Sequence, residues 1–213
     1  MGQPLPPMKH VPNALTIGRI IVTPIFLVLL LSGTLTGQLV ALVLFILAAI
    51  SDYWDGKIAR EYGVGSRIGQ FLDPLADKVL VLGAFFAFLL LPPDDQGRVL
   101  MEPWWWWAVG VIALRDLAVT LLRSWAERVG RPVQTKYAAK VKTAVQLTFL
   151  IAVQVFLVAS KLGRYDGWLA DLGALTGAVL YGPATSILLL ITALLTVWTG
   201  VLYFVRRQPS PLS

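Results

Sequence analysis

Four aspartates lie in one polar segment of the sequence, between two apolar stretches. They are Asp52, Asp55, Asp73 and Asp77. Residues three or four positions apart share one face of a helix, so each pair presents its carboxylates together. Carboxylate oxygens are ligands that suit hard divalent cations such as Mg²⁺ and Mn²⁺. Two such ions held a short distance apart would form a clamp for phosphate or diphosphate chemistry.

Small residues accompany both acidic pairs. Gly69 lies four residues before Asp73, while Gly56 and Ala59 flank the first pair and leave room for a bulky ligand. The short connection Glu61–Ile68 contains two glycines, which lets the two helices run antiparallel and face each other. The four carboxylates are therefore predicted to converge.

A second interpretation uses the same acids without a metal. They could pair with neighbouring bases in a solvated loop, and four bases lie close by in the sequence: Lys57, Arg60, Arg67 and Lys78. Isolated acid–base pairs of this kind are common on protein surfaces. The residues alone leave both interpretations open, although a solvated loop explains the helical spacing poorly.

The composition indicates what kind of protein holds these aspartates. Of the 213 residues, 57% are hydrophobic and 14% are charged, and the mean hydropathy is +0.72. This is too apolar for an ordinary soluble domain. There is no cysteine, which excludes disulfide and thiolate chemistry, and the single histidine, His10, is predicted at the surface. The net charge of +6 indicates anionic headgroups or substrates rather than nucleic acid.

The apolar stretches predict an all-α integral membrane protein that forms one domain over residues 1–213. About 20 residues of helix cross a bilayer, and the breaks between stretches carry turn-forming residues. The first stretch is too long for a signal peptide. A glycine-rich segment, Trp168–Gly182, is interpreted as an interfacial helix. The six predicted spans are Leu15–Ser32, Gln38–Arg60, Leu72–Leu91, Trp104–Arg128, Ala138–Leu162 and Ala184–Val205.

The distribution of lysine and arginine predicts the orientation. With six spans, 15 of the 18 basic residues fall on the side of the termini and the aspartates, and only Arg98, Lys161 and Arg164 fall opposite. Basic residues favour the cytoplasmic side, so both termini and the aspartates are predicted there. A seventh span would export Arg206 and Arg207.

Two further groups of residues have specific interpretations. Trp104–Trp107 is predicted to belong to an aromatic belt at the outer interface. Arg115 and Asp116 lie in the middle of a span, where charge facing lipid is costly. They are therefore predicted inside the bundle, either as a structural ion pair or as the floor of a polar cavity.

The aspartate segment fits D-x-x-D-G-x-x-A-R-x8-G-x3-D-x3-D at every fixed position. The chain thereby resembles the CDP-alcohol phosphatidyltransferases, a family with a six-helix membrane domain that carries this motif on its second and third helices. The segments VPNALTIGRIIVTP, LRDLAVTLLRSWAERVGR and KYAAKVKTAVQ resemble the members that use glycerol 3-phosphate. The matching residues are Asp52, Asp55, Gly56, Ala59, Arg60, Gly69, Asp73 and Asp77.

The resemblance implies transfer of a phosphatidyl group from CDP-diacylglycerol to an alcohol, with release of CMP. It implies two Mg²⁺ or Mn²⁺ ions held by the four aspartates, with Asp77 also acting as the general base. It further implies a homodimer and, for a protein of this kind, a bacterial inner membrane with the active site facing the cytoplasm. The residues implied to contact the CDP-lipid are Gly56, Arg60, Ser66, Asn13 and Thr16.

A phosphorylated acceptor would need cations beyond those that hold the diphosphate. The ends of the fourth and fifth spans carry a basic run that could supply them, although the run could also serve orientation alone. The candidate acceptor-phosphate residues are Arg115, Arg123, Lys136 and Lys140.

Other functions remain open at this stage. The same chemistry could use inositol phosphate, serine or, as in a cardiolipin synthase, phosphatidylglycerol as the acceptor. A membrane prenyltransferase also binds a diphosphate through Mg²⁺ but normally needs a longer chain and different aspartate motifs. A divalent-cation transporter would carry mid-span acids on several helices, whereas these aspartates cluster at one membrane boundary.

Overall fold

The structure is a computed structural model. It describes the backbone of residues 11–62, 67–128 and 136–205, and it describes side chains in these ranges except for residues 11–16, 52–77, 104, 123–124, 127–128, 136–139 and 203–205.

The described chain consists of helices joined by short connections, and it contains no β-strand. Helices satisfy their own backbone hydrogen bonds, which apolar segments in a membrane require. Two short 3₁₀ turns, Pro103–Trp105 and Lys161–Arg164, precede α4 and follow α5. The α-helices are α1 Val11–Leu31, α2 Leu35–Tyr62, α3 Arg67–Leu90, α4 Trp106–Arg128, α5 Lys136–Ser160, α6 Trp168–Leu180 and α7 Pro183–Val205.

All six predicted spans are helices, with ends that differ by a few residues from the predicted ones. The predicted helix in the glycine-rich segment is confirmed as α6, whose 13 residues extend about 20 Å at 1.5 Å per residue. That is shorter than a bilayer core. By length and composition, two helical stretches of the described chain qualify as membrane spans, Lys140–Arg164 and Pro183–Leu202.

A compact turn joins α1 to α2. Gly33 has a φ of +67°, a left-handed conformation that glycine adopts easily after the end of a helix. Thr34 then caps α2, because its hydroxyl accepts a 3.1 Å hydrogen bond from the Gly37 N–H. The turn makes α1 and α2 antiparallel neighbours.

Aromatic pairs connect the helices in the core. Phe26 of α1 and Phe45 of α2 have ring centroids 5.3 Å apart, and Phe85 of α3 stacks on Phe149 of α5 at 5.8 Å. All four rings are buried. The first pair fixes the register of α1 against α2, and the second joins α3 to α5.

The helices pack in two groups. In the first, α1 contacts both α2 and α3; in the second, α7 contacts α4 and α5, and α6 lies against α5. Trp105, which was predicted to belong to an outer aromatic belt, is buried in the core, whereas Trp106 and Trp107 are about half exposed. The belt prediction therefore fails for Trp105, because the 3₁₀ turn directs its ring inward.

Polar contacts tie three connections together at one end of the bundle. The Lys161 ammonium donates to the carbonyl of Gly33 at 2.6 Å, and Arg164 Nε donates to Asp95 at 3.0 Å. Arg98 binds Asp94 and lies over the Tyr181 ring. The three basic residues predicted to lie opposite the aspartates thus share one end of the molecule. We call Asp94, Asp95, Arg98, Lys161 and Arg164 the loop cluster.

Two glycines allow α6 to approach the chain that precedes it. A side chain at Gly173 would collide with the backbone of Gly163. The absence of a Cβ therefore permits the close contact between α6 and the 3₁₀ turn that follows α5. This contact holds α6 against the same end of the bundle as the loop cluster.

Candidate active site

The buried face of α2 leads to the first pair of aspartates. Ala41, Phe45 and Ala48 are buried and follow each other at intervals of four and three residues, the spacing of one helix face. The same alternation continues to Asp52 and Asp55, which lie on the helical backbone of α2. On this register both positions belong to the interior stripe.

The buried face of α3 leads to the second pair in the same way. Ala87, Ala84 and Leu80 are buried at intervals of three and four residues. Continuing toward the start of the helix, the next two positions of that stripe are Asp77 and Asp73. Extended along the helical backbone, the buried stripes of α2 and α3 thus reach the positions of both predicted acidic pairs.

The side chains of all four aspartates lie outside the described residues, so their convergence stays a prediction. The same holds for the side chains of the predicted CDP-lipid residues, of which Ser66 lies outside the described backbone as well. Within the described chain, no group of three or more Asp, Glu, His or Cys residues could hold a metal ion. The backbone assigns the remaining candidates to helices: Asn13 and Thr16 to α1, and Gly56 and Arg60 to α2.

The chemistry of the donor set fits a hard divalent cation. The four predicted ligands offer only carboxylate oxygens, and the sequence contains no cysteine and a single histidine. Magnesium and manganese prefer oxygen ligands, whereas softer metals are favoured by sulfur or imidazole. Four carboxylates brought together from the two helices would also repel one another without compensating positive charge.

A second group of charged side chains lies entirely within the described residues. Asp116 of α4 forms an ion pair with the ammonium of Lys142 of α5, and Arg115 Nη1 lies 3.2 Å from the other Asp116 oxygen. Gln146 Nε2 donates to Asp116 Oδ2 at 3.3 Å. The side chain of Asp116 is 0% exposed and that of Lys142 is 4% exposed. We call Arg115, Asp116 and Lys142 the buried ionic cluster.

Arg115 also connects the cluster to α7. Its Nη2 donates to Thr199 Oγ1 at 2.9 Å, and the Thr199 hydroxyl donates in turn to the carbonyl of Thr196 at 3.0 Å. A Cβ at Gly200 would lie 3.0 Å from Arg115 Nε. The absence of a side chain at Gly200 therefore leaves space for the Arg115 side chain against α7. The prediction that Arg115 and Asp116 lie inside the bundle is confirmed, and the ion pair is observed.

The buried ionic cluster carries an excess of positive charge. Within the cluster, two cations face one carboxylate. Removing one partner of a buried ion pair typically costs about 3–5 kcal/mol, because the other charge stays buried without compensation. Asp116 therefore stabilises two cations in the part of the bundle that adjoins α3.

The predicted acceptor-phosphate residues fall into three groups. Arg115 belongs to the buried ionic cluster, and Lys140 is exposed. The side chains of Arg123 and Lys136 lie outside the described residues. Since α5 begins at Lys136, Lys136 and Lys140 lie about one helical turn apart on the same helix.

Sequence reasoning did not single out Gln146. The signal was present in the spacing: Lys142, Gln146, Phe149 and Val153 are buried and follow each other at intervals of four, three and four residues. Two polar residues on an otherwise apolar stripe indicate that they meet polar partners inside the bundle.

A cavity of about 360 Å³ lies at the opposite end, within the loop cluster. Its acids and bases largely neutralise one another: Asp94 binds Arg98, and Asp95 binds Arg164. The remaining base, Lys161, donates to the Gly33 carbonyl, and the cavity lies at the opposite end of the bundle from the predicted aspartate site, so we do not assign the phosphorylated substrate to it.

Comparison with known proteins gives a consistent result over almost the whole chain. A relative from Rickettsia typhi is 32% identical over 197 residues, covering 92% of this chain and 96% of the relative. One from Rickettsia felis is 34% identical over 197 residues, covering 92% and 94%. One from Salmonella typhimurium is 32% identical over 143 residues, covering 66% and 74%. All three relatives are named CDP-diacylglycerol–glycerol-3-phosphate 3-phosphatidyltransferase.

The family comparison covers both the aspartate segment and the buried ionic cluster. Residues 9–205 match the model of the CDP-alcohol phosphatidyltransferases, so the match includes every α-helix described above. The complete aspartate motif lies within the matched region. This chain therefore belongs to the CDP-alcohol phosphatidyltransferase family and is a phosphatidyltransferase enzyme.

Proposed function

We propose that the protein transfers the phosphatidyl group of CDP-diacylglycerol to glycerol 3-phosphate, giving phosphatidylglycerophosphate and CMP. The observation that carries this proposal is the complete aspartate motif within a chain whose residues 9–205 match the family. The printed name of the relatives, which specifies glycerol 3-phosphate, supports the choice of acceptor.

The four aspartates are proposed to hold two Mg²⁺ or Mn²⁺ ions. Bound there, the ions would offset charge on the diphosphate and on the departing CMP. Asp52, Asp55 and Asp73 act as ligands, and Asp77 acts as ligand and base. The oxygen-only donor set and the helical spacing of both pairs support this assignment.

The protein's own residues would carry the proton and orient the donor. Asp77 accepts the proton of the acceptor hydroxyl, whose oxygen forms a new bond to the β-phosphorus of CDP-diacylglycerol. The bond between that phosphorus and the bridging oxygen breaks, and its electron pair leaves with CMP. Gly56, Arg60 and Ser66 would hold the CDP group, because an arginine fork can bind two phosphate oxygens at once. Asn13 and Thr16 would complete this contact.

The acceptor's phosphate needs a separate cationic pocket, because the metal ions already face the diphosphate. Arg115, Arg123, Lys136 and Lys140 are the proposed contacts. The excess positive charge of the buried ionic cluster, which joins the middle of α4 to the first half of α5, supports a cationic pocket between these two helices. Charged groups inside a membrane bundle commonly mark a substrate path.

We propose that α1 to α5 and α7 are the six membrane spans of a single domain, with both termini and the aspartates in the cytoplasm. The gathering of the loop cluster at one end supports this arrangement, because it brings the connections predicted to lie outside into contact. The protein would act as a homodimer in a bacterial inner membrane.

The acceptor is tested by supplying different alcohols, one at a time, with the same radiolabelled CDP-diacylglycerol. Purified protein in detergent with Mg²⁺ is given glycerol 3-phosphate, inositol phosphate, serine or phosphatidylglycerol. We expect rapid CMP release and a labelled lipid product with glycerol 3-phosphate alone. Faster turnover with another acceptor would retain the family chemistry and refute the proposed substrate.

A further inference from the structure

An arginine ends the buried stripe of α1. Arg19, Thr23, Phe26 and Leu30 follow each other at intervals of four, three and four residues, and each is at most 3% exposed. The other three are apolar or have a hydroxyl bonded to the helix backbone, as Thr23 does to the Arg19 carbonyl at 2.7 Å. A guanidinium on such a stripe is costly unless charge of opposite sign lies nearby.

The register of α1 against α2 indicates where that charge is. Phe26 and Phe45 pack against each other in the antiparallel pair. Seven residues make almost two helical turns, so a step of seven keeps the same face on both helices. Seven residues before Phe26 is Arg19, and seven residues after Phe45 is Asp52. The register therefore brings positions 19 and 52 of the two helical backbones to one level.

The register of α1 against α3 leads to the same level. The side chain of Leu27 in α1 adjoins Gly83 in α3. These two helices run in the same direction, because α2 connects them and runs in the opposite direction. Eight residues before Leu27 is Arg19, and eight residues before Gly83 is position 75. That position is midway between Asp73 and Asp77, so the second acidic pair brackets the level of Arg19.

The charge of Arg19 is permanent, because a guanidinium stays protonated in proteins. Arg19 does have an interaction partner, and the aspartates are the acids that both registers bring to its level. Its rigid fork suits carboxylate oxygens and can orient a carboxylate while leaving another lone pair for a metal. Four clustered carboxylates would in turn need a cation to approach one another before metal binds.

We infer that Arg19 is a positioning residue of the metal site: it pairs with the facing aspartate carboxylates of α2 and α3 and orients them toward the metal ions. The inference rests on the proposed function, whose metal site it deepens. Arg19 lies outside the aspartate motif and on a different helix. Mutation of the partners that orient metal ligands typically costs about 10- to 100-fold in metal affinity or activity.

The test is a titration of the substrate-free protein with Mn²⁺ in detergent, followed by electron paramagnetic resonance of the free ion. We expect Arg19→Met to weaken Mn²⁺ binding by about 10- to 100-fold, the usual effect of losing such a partner. Arg19→Gln serves the same purpose if the methionine variant does not fold. Arg19→Lys retains the charge but not the planar fork, so it should recover only part of the affinity.

Two variants on the same stripe separate positioning from packing. Leu30→Ala opens a cavity at the far end of the stripe and lowers the melting temperature, and Thr23→Val removes a hydroxyl one turn away; both should bind Mn²⁺ as the wild type does. Equal loss of affinity in Leu30→Ala, or no recovery with Arg19→Lys, would overturn the inference in favour of a structural role. Unchanged binding in Arg19→Met and Arg19→Gln would overturn it directly. Absence of Mn²⁺ binding by the wild type would instead refute the proposed metal site and the inference with it.

Discussion

Asp77 is proposed to do more than the other three aspartates, since it holds metal and removes the acceptor's proton. We expect Asp77→Asn to abolish turnover and to leave CDP-diacylglycerol binding largely intact, because the amide retains the shape but cannot take the proton at this site. Turnover and CDP binding are measured with and without Mg²⁺. Asp52→Ala is the matched variant and should lose the metal-dependent binding. Near-normal turnover by Asp77→Asn would refute the assignment of the base.

Lys140 tests the acceptor pocket, because its exposed side chain at the start of α5 lies outside the buried ionic cluster. We expect Lys140→Ala to raise the KM for glycerol 3-phosphate by roughly tenfold or more, since a charge-assisted contact contributes about 1.5–3 kcal/mol. The KM for CDP-diacylglycerol should hardly change. Arg164→Gln, at the opposite end of the bundle, is the control. Equal losses for both substrates would indicate a structural role for Lys140.

Individual residues were predictable where local spacing determined their environment. The interior location of Arg115 and Asp116 followed from the cost of charge facing lipid. Their hydrogen-bond partners could not be predicted in this way, because Thr199 lies 84 residues from Arg115 and Gln146 lies 30 residues from Asp116. Such contacts depend on which helices pack together, and the sequence pattern does not determine that.

At the scale of elements, the helices were predictable and their ends were not. The apolar stretches and turn residues located each helix, because helix formation in apolar segments follows from backbone hydrogen bonding. The ends depend on caps such as Thr34 and on 3₁₀ turns such as Pro103–Trp105, which form through local contacts. The same turn buries Trp105, contrary to the prediction from the tryptophan run.

The loop cluster gives the connections a pH dependence. Burial acts to raise the pKa of the Asp94 carboxyl, but hydrogen bonds from the Arg98 side chain and from the Arg98 and Gln96 backbone lower it overall. A carboxyl whose pKa is lowered by folding stabilises the folded state at pH values above its pKa in the unfolded chain, about 3.9 for aspartate. That contribution is lost as the pH falls through the pKa of the folded state. We expect the melting temperature in detergent to fall over that acidic range.

Two variants locate this effect. Asp94→Asn and Arg98→Gln should each make the melting temperature less dependent on acid, because the first removes the carboxyl and the second removes its main partner. Arg164→Gln, which removes another cation of the loop cluster, should retain the dependence of the wild type. An unchanged acid response in Asp94→Asn would show that other groups cause it.

At the scale of the whole molecule, the six-span orientation can be tested directly, because the chain contains no cysteine. Single cysteines at Gly63, Arg131 and Ser213 should react with a membrane-impermeant reagent from the cytoplasmic side. Cysteines at Asp95 and Gly163 should react from the outside, in keeping with the contacts that join their connections. Labelling of positions 63 and 95 from the same side would show that the count of spans is wrong.

The central claim is that this membrane bundle joins glycerol 3-phosphate to a phosphatidyl group, and the most direct measurement follows radiolabelled glycerol 3-phosphate. Purified protein is mixed with CDP-diacylglycerol and Mg²⁺, and the label in the lipid phase is compared with the CMP released. We predict labelled phosphatidylglycerophosphate and CMP in equal amounts, with both lost when the metal is chelated. CMP release at the same rate without glycerol 3-phosphate, or label that stays in the aqueous phase, would contradict the account.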